Sequence, residues 1–391
     1  MEKLVYFDNA ATTKIYPEVL KEMLPYFSKI YSNPSGIYEF SARAKMATDL
    51  SRERIAKLIN ANPQEIYFTS GGTESDNWAL KSLAQALRKK GNHIITSKIE
   101  HHAILNTCKY LENNGFEVTY LDVDGDGMVN PEQVMDCIKK STIIISVMFA
   151  NNEVGTIQPI KQIGRIAKEN RVLFHTDAVQ AFGQIPIDVK ELNIDLLSAS
   201  AHKLHGPKGT GCLYISSEVD ITPFMHGGSQ ENKLRAGTLN VPGIVGFGKA
   251  AEIALGKMPE KVKYETELRD YLIDSVIKNV PYTKLNGHRS NRLPNNTNFS
   301  FRFIEGESLL IILDTLGICA STGSACSAGS KDPSHVLVAM GKTEDEAHGS
   351  LRLTLSDTTT REEVDYVVKS VAESVESLRK MSTEYSKINV K

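Results

Sequence analysis

Long apolar runs are missing from this sequence. No stretch approaches the roughly 20 residues that a helix needs to span a bilayer. The opening MEKLVYFDNAATT carries one early lysine and lacks the apolar centre of a secretory signal. The expectation is a cytoplasmic protein whose first residues already belong to the fold. Charge of one sign is lacking too: 45 basic against 47 acidic residues leave a net charge of −2. That excludes a global cationic field for nucleic acid or anionic lipid. Cysteine is scarce, with five residues at irregular spacing, an odd count that argues against a disulfide framework. No C-x-x-C pair occurs, and Cys319 and Cys326 are too far apart for a zinc knuckle, so no metal site is expected. A Walker loop and a G-x-G-x-x-G fingerprint are both absent, which sets a nicotinamide enzyme aside.

What is present is the texture of a large globular protein. A chain of 391 residues is long for one core and suggests two or three structural units. Between about residues 60 and 250, short runs rich in Ile, Val, Leu and Phe alternate with helix-length amphipathic segments. Strands are predicted at Ile66–Thr69, His93–Ser97, Glu117–Asp122, Thr142–Phe149, Val172–Asp177, Leu196–Ser200 and Gly211–Ser216. Nearly continuous apolar strands are those covered on both faces, so the pattern reads as an α/β domain with a mostly parallel sheet. The last three strands lie close enough in sequence for local antiparallel pairing. After about residue 255 a helix, a short strand, a second helix, a Gly/Ser loop and a charged terminal helix suggest a smaller α+β unit. The division expected is an N-terminal segment (1–15) packing with the small domain, a large α/β domain (16–257), and a small domain (258–391) joined near Met258-Pro259. The run Asp122–Gly127 imitates the start of a calcium loop, but its twelfth position is Gln133 where a bidentate Glu is required. Asn130-Pro131 there reads instead as a helix start.

Three segments carry candidate chemistry. In Ser200-Ala201-His202-Lys203 a lysine directly follows an apolar strand. It is either a side chain snorkelling at a strand end or a desolvated amine of the kind that forms Schiff bases. In His175-Thr176-Asp177-Ala178-Val179-Gln180 an acid ends a strand, at the edge where open α/β sheets bind ligands. It is either a turn former or a partner for a pyridinium nitrogen. In Thr69-Ser70-Gly71-Gly72-Thr73-Glu74-Ser75-Asp76 a strand meets a glycine pair, then Thr73 as a helix cap with Asp76 in the capping-box position. Such a helix start attracts phosphate, although capping alone explains most of it.

The order SGGTESDN, Glu100-His101-His102, Asn151-Asn152-Glu153-Val154-Gly155, HTDAVQ and SAHKLHGPKG resembles the class V, fold type I pyridoxal-phosphate (PLP) transferases. The segment Ser321-Thr322-Gly323-Ser324-Ala325-Cys326-Ser327 looks like the group I cysteine desulfurases of iron–sulfur cluster assembly. The resemblance runs from Tyr6 to about residue 380. It implies PLP as cofactor, bound covalently by Lys203, with Asp177 on the ring nitrogen, Gln180 on the ring hydroxyl and His101 over the ring and relaying protons. Gly72, Thr73, Ser200 and His202 would hold the phosphate, completed by Thr238 from the other subunit of a homodimer. Asn152 and Arg352 would bind the carboxylate of L-cysteine, with Asn33 in the same pocket. Cys326 would carry the sulfur as a persulfide, release L-alanine, and pass the sulfur to an acceptor such as a cluster scaffold or a tRNA-thiolation enzyme. Two segments depart from the family pattern: Gly227-Gly228-Ser229-Gln230-Glu231 and Leu234-Arg235-Ala236-Gly237-Thr238 have lost a glycine and a hydroxyl respectively. A selenocysteine lyase, an aminotransferase of the same class and an idle partner-binding scaffold are the competing readings. Cys326 argues against an aminotransferase, and intact Lys203 and Asp177 argue against a scaffold.

Overall fold

The structure is a computed structural model that describes residues 4–322 and 333–388. In chain order the strands are β1 (Val5–Tyr6), β2 (Ile66–Thr69), β3 (His93–Ser97), β4 (Glu117–Leu121), β5 (Thr142–Ser146), β6 (Leu173–Asp177), β7 (Leu196–Ser200), β8 (Gly211–Ile215), β9 (Thr283–Leu285), β10 (Asn296–Phe301), β11 (Ile318–Cys319) and β12 (Ser350–Thr354). Seven of them form one sheet in the order β2-β8-β7-β6-β5-β3-β4. Only β8 runs against its neighbours, pairing antiparallel with both β2 and β7. The α/β expectation with a mostly parallel sheet therefore holds, and the reversed strand sits among the late strands where sequence spacing allowed it. Residues of β3, β5, β7 and β8 are buried without exception, as strands covered by helices on both faces must be.

One face of this sheet buries Ile95, Ile145, Phe174, Leu197 and Phe182 in a large core. The opposite face buries Trp78, Leu80, Leu83, Ile94, Ile144 and Leu213 under the helix Gly72–Leu87. A second core gathers Phe299, Phe301, Leu351 and Leu353 of the three-stranded sheet β12-β10-β9 with Val364, Val367 and Val371 of the helix Arg361–Met381. Val5 and Phe7 belong to this second core, and β1 pairs in parallel with β11.

Two local expectations are corrected. The helix expected from Lys261 begins at Val241 and runs unbroken to Asn279, straight through the Met258-Pro259 junction. A proline inside a helix costs about 3 kcal/mol. Here both halves are anchored: Ile244, Phe247 and Ala251 in the first core, Leu268, Leu272 and Val276 in the second. Burial of each large aliphatic or aromatic side chain contributes about 1.5–3 kcal/mol, so the helix survives the proline and ties the two cores together. Thr73 is not the cap of its helix. Gly71, at φ 153°, occupies the cap position, the helix starts at Gly72, and no side chain caps it. The glycine lets the chain turn into the helix two residues earlier than a threonine cap would.

Candidate active site

The carboxyl ends of β2, β3, β5, β6 and β7 all lead toward one cavity of about 370 Å³. This is where an open α/β sheet leaves a crevice. Gly72, Thr73, His101, Asn152, Asp177, Gln180, Ser200, His202, Lys203 and Arg352 all line it, so ten of the thirteen residues singled out in the sequence meet at one place. Asn33 does not: it is exposed, and its side chain accepts a hydrogen bond from the Ser35 backbone instead. Thr238 is exposed and outside the cavity of its own chain. Cys326 lies outside the described residues.

Lys203 ends a short 3₁₀ turn that follows β7. Its Nζ donates to the carbonyls of Ala10 and, at 2.8 Å, Ala11. Gln180 Nε2 donates to the same Ala10 carbonyl at 3.0 Å. His202 Nδ1 lies 3.1 Å from Thr12 Oγ1. The segment Ala10–Thr12 is thus strapped over the end of the sheet and forms one wall of the cavity. Burial, with Lys203 and Lys208 nearby, pulls His202 down to about 4, so it is neutral near pH 7.

Asp177 closes β6 with its side chain almost fully buried, and Oδ1 accepts a hydrogen bond from the Val179 amide at 2.9 Å. Burial raises its carboxyl, while His101 and Lys203 pull it back down. Behind it, on the same face of β6, His175 is wholly enclosed, with its ring nitrogens 2.9 Å from Ser146 Oγ and 3.0 Å from Ser198 Oγ. Burial drives it down to about 3, so the 3.7 Å approach of Asp76 Oδ1 is not an ion pair at neutral pH. Asp76, read from the sequence as a capping-box residue, is in fact buried in the cavity wall. Desolvation and the charge of Asp177 hold its carboxyl well above the usual range.

The helix Gly72–Leu87 points its amino end at the cavity. Its first N–H groups have no side-chain cap and are the natural partners of an anion. A Cβ on Gly72 would stand 2.6 Å from Val179 Cγ2, and one on Gly211 would stand 2.6 Å from the Gly71 Cα. Both positions need glycine for the strand end and helix start to approach this closely. Glu74 secures the turn, accepting from the Ser70 amide at 2.8 Å and from Arg235 through two bonds at 2.7 and 3.0 Å.

Arg352, on β12, reaches the cavity from the second core and is buried. One terminal nitrogen donates to the Asn152 carbonyl at 3.0 Å and the other to Asp8 Oδ1 at 2.8 Å, while Nε has no partner. Asp8 as its counter-ion was not legible in the sequence. Nor were two buried acids beside the cavity. Glu100 Oε1 accepts from Ser97 Oγ at 2.6 Å and from the Met148 amide at 2.9 Å, and burial raises its carboxyl to about 8. Glu153 Oε2 accepts from Ser334 Oγ at 2.5 Å, and burial raises it to about 7. His102 and His335 complete the rim. A second histidine after Glu100 was visible as His101-His102; His335 had no sequence signal.

The group that fits this donor set has an anionic end for the helix start, Ser200 and His202, and a basic ring nitrogen for a buried carboxylate. It also has an electrophile within reach of a lysine amine. The uncapped helix start and the glycine cradle at Gly71-Gly72 are suited to a phosphate, and Asp177 is suited to a pyridinium.

The comparisons agree with that donor set. A family model described as aminotransferase class-V matches residues 5–367. The cysteine desulfurase IscS of Methanosarcina thermophila is 58% identical over 97% of this chain and 94% of its own length. The cysteine desulfurase IscS of Clostridium botulinum is 55% identical over 98% of this chain and 97% of its own. Among solved structures, a NifS-like protein superposes with a TM-score of 0.89 at 41% identity, covering 95% of this chain and 99% of that one. A structure described as SspA in complex with cysteine reaches a TM-score of 0.81 at 39% identity, over 91% and 99%.

Proposed function

The chain belongs to the class-V aminotransferase family, among the cysteine desulfurases, and from that footing we propose that it removes the sulfur of L-cysteine, leaves L-alanine, and holds the sulfur as a persulfide on Cys326. One observation carries the reading: a lysine amine and a buried carboxylate share the wall of a single cavity with an uncapped helix start. Pyridoxal phosphate, the cofactor of this family, supplies when bound an aldehyde for the amine and a ring that withdraws electrons from the substrate. Gly72, Thr73, Ser200 and His202 would hold its phosphate, Asp177 its ring nitrogen, Gln180 its ring hydroxyl and His101 its face.

The protein's own groups do the rest. Lys203 takes and returns the proton at the substrate α-carbon. Arg352 and Asn152 fix the substrate carboxylate. The Cys326 thiolate attacks the substrate sulfur: an S–S bond forms, the carbon–sulfur bond breaks, and a proton completes the methyl group of alanine. An acceptor protein, of the cluster-assembly or tRNA-thiolation kind, then takes the sulfur. Thr238, exposed on its own chain, is suited to reach a neighbouring subunit of a homodimer. No helix among the described residues is long and apolar enough to cross a membrane, and a cytoplasmic site of action goes with this reading.

The test is incubation with L-cysteine and a thiol reductant, measuring alanine and sulfide. Equal amounts of both are expected. Cys326→Ala should keep the cofactor absorbance and abolish sulfide release, since losing an activated nucleophile can cost about a millionfold in kcat. Full turnover in that variant would remove the carrier role.

Arg352 yields a second expected result. Hydrogen bonds to a charged group are worth roughly 1.5–3 kcal/mol, so Arg352→Gln should raise KM for cysteine by about tenfold to a hundredfold. Arg352→Lys should recover little, since a point charge cannot bridge Asp8, the Asn152 carbonyl and a carboxylate together. An unchanged KM in both variants would take Arg352 out of substrate binding.

A further inference from the structure

Lys203 is held at its head and at its root. Its Nζ meets the Ala10 and Ala11 carbonyls, while its own backbone carbonyl accepts a hydrogen bond from Gln184 Nε2 at 2.9 Å. Gln184 is buried and lines no part of the cavity. It belongs to the run of turns that follows Asp177, in which Ala181 and Phe182 donate to the Ala178 carbonyl and Gln184 to that of Ala181. Gly183 lets this run close on the Lys203 turn: it stands at φ 74°, and a Cβ there would lie 2.9 Å from Leu204 Cδ1. The segment that carries Asp177 thus reaches round behind the wall to grip the residue that carries the amine.

The Gln184 amide can lie only one way round. Lys261 Nζ donates to its Oε1 at 2.7 Å. An ammonium has no acceptor, so it requires the amide oxygen; a carbonyl has no hydrogen, so Lys203 requires the amide nitrogen. Lys261 is 7% exposed, and burying an ammonium is costly unless it is well paired. Glu265, one turn further along the same helix, is wholly buried, yet its Oε1 stays 3.9 Å from Lys261 Nζ, and neither carboxylate oxygen is hydrogen-bonded to a described residue. The short bond of Lys261 therefore goes to Gln184. Lys261 lies just past Pro259 on the helix Val241–Asn279, which joins the two cores.

We propose that Gln184 and Lys261 are positioning residues for Lys203: Lys261 orients the Gln184 amide, and that amide pins the root of the lysine so that its amine enters the cavity at a fixed height. The inference rests on the reading above, in which the amine bonds the cofactor and moves the substrate α-proton. For either task the amine must leave the Ala10 and Ala11 carbonyls, and the bond at the root is untouched when it does. Gln184 and Lys261 lie outside the cavity, so neither cofactor nor substrate competes for them. A root that shifts by about 1 Å carries the amine with it, and a displacement on that scale can cost about a hundredfold in rate. Because the amide is oriented from the joining helix, the placement of the amine is also tied to the second core, from which Arg352 reaches the cavity.

The experiment follows how fast pyridoxal phosphate, added to the full chain stripped of cofactor, forms a borohydride-stable adduct at Lys203, mapped by mass spectrometry. Affinity for deoxypyridoxine phosphate, which lacks the aldehyde, is measured in parallel, with kcat, KM and the melting temperature. Gln184→Glu is the primary variant: it is nearly isosteric and keeps a partner for Lys261, but it sets an acceptor against the Lys203 carbonyl. Adduct formation and kcat should each fall at least about tenfold, while KM for cysteine and affinity for deoxypyridoxine phosphate stay within about twofold of the wild type. Lys261→Met should show the same pattern more weakly, since its amide is free to turn over. The double variant Gln184→Lys/Lys261→Gln returns a donor to the carbonyl and should recover most of the adduct rate, which a loss of stability alone would not allow. Wild-type adduct rates in Gln184→Glu, or a fall in deoxypyridoxine phosphate affinity as large as the fall in adduct rate, would overturn the assignment. A wild-type enzyme that forms the adduct but makes no alanine from cysteine would sink the desulfurase reading instead and leave the adduct comparison standing.

Discussion

Replacing Lys203 with alanine is expected to lower alanine formation from cysteine by roughly ten-thousandfold, the upper end of what a positioned proton-transfer group contributes. The expectation follows from where the amine is held. Lys203 comes off β7 through a single 3₁₀ turn, and its Nζ donates to the carbonyls of Ala10 and Ala11 in the cavity wall. Among the described residues no other lysine lines the cavity. Borohydride reduction of the wild-type holoenzyme should leave a stable adduct at position 203, and the variant should show none. Lys203→Arg separates charge from chemistry: it keeps a cation near Asp177 but offers no primary amine to form an imine or carry a proton. It should stay as inactive as the alanine variant. Turnover in Lys203→Ala above about a hundredth of the wild-type rate, or an adduct mapped to another lysine, would contradict the assignment.

Asp177→Asn should cost roughly a thousandfold, in line with the loss of a preorganised charge inside a water-poor site. The side chain is isosteric, and its oxygen can still accept from the Val179 amide, so the fold should be untouched. What disappears is the negative charge facing His101 and Lys203. A buried carboxylate is the group that keeps a ring nitrogen protonated; a carboxamide cannot. A cofactor analogue carrying a permanent positive charge on that nitrogen should therefore restore most of the lost rate in Asp177→Asn and add nothing to the wild type. Equal activity of the variant with either cofactor would show that Asp177 serves only to shape the turn after β6, the alternative its sequence position left open.

How much of this site could be read in the chain varied with the physics behind each residue. Lys203, Asp177 and the Gly71-Gly72 pair stood out because each breaks a local rule: a charge abutting an apolar strand, an acid ending one, two glycines where a strand meets a helix. The helix start expected at Lys261 was misplaced because a proline is a local signal, whereas the anchoring of both helix halves in separate cores is not. Thr73 looked like a cap for the same reason; the conformation of Gly71 decided otherwise. Asp8, Glu100, Glu153 and Asp76 had no local signature of their role, since a carboxylate acquires its character from what covers it. Glu100 and Glu153 are raised to about 8 and 7 by burial among residues distant in the chain.

By itself the sequence determined the fold class, the order of the motifs and the identity of the chemical groups, because periodicity, strand ends and residue types are properties of neighbours along the chain. Only the tertiary structure decided that Arg352 arrives already paired with Asp8, that Asn33 stays outside the cavity, and that the backbone holds His101 by Nδ1 and His335 by Nε2. Those outcomes depend on which backbone groups meet a side chain after segments up to 344 residues apart have packed together. A hydrogen bond's direction is fixed by its partner, and the partner is known only once the chain has folded.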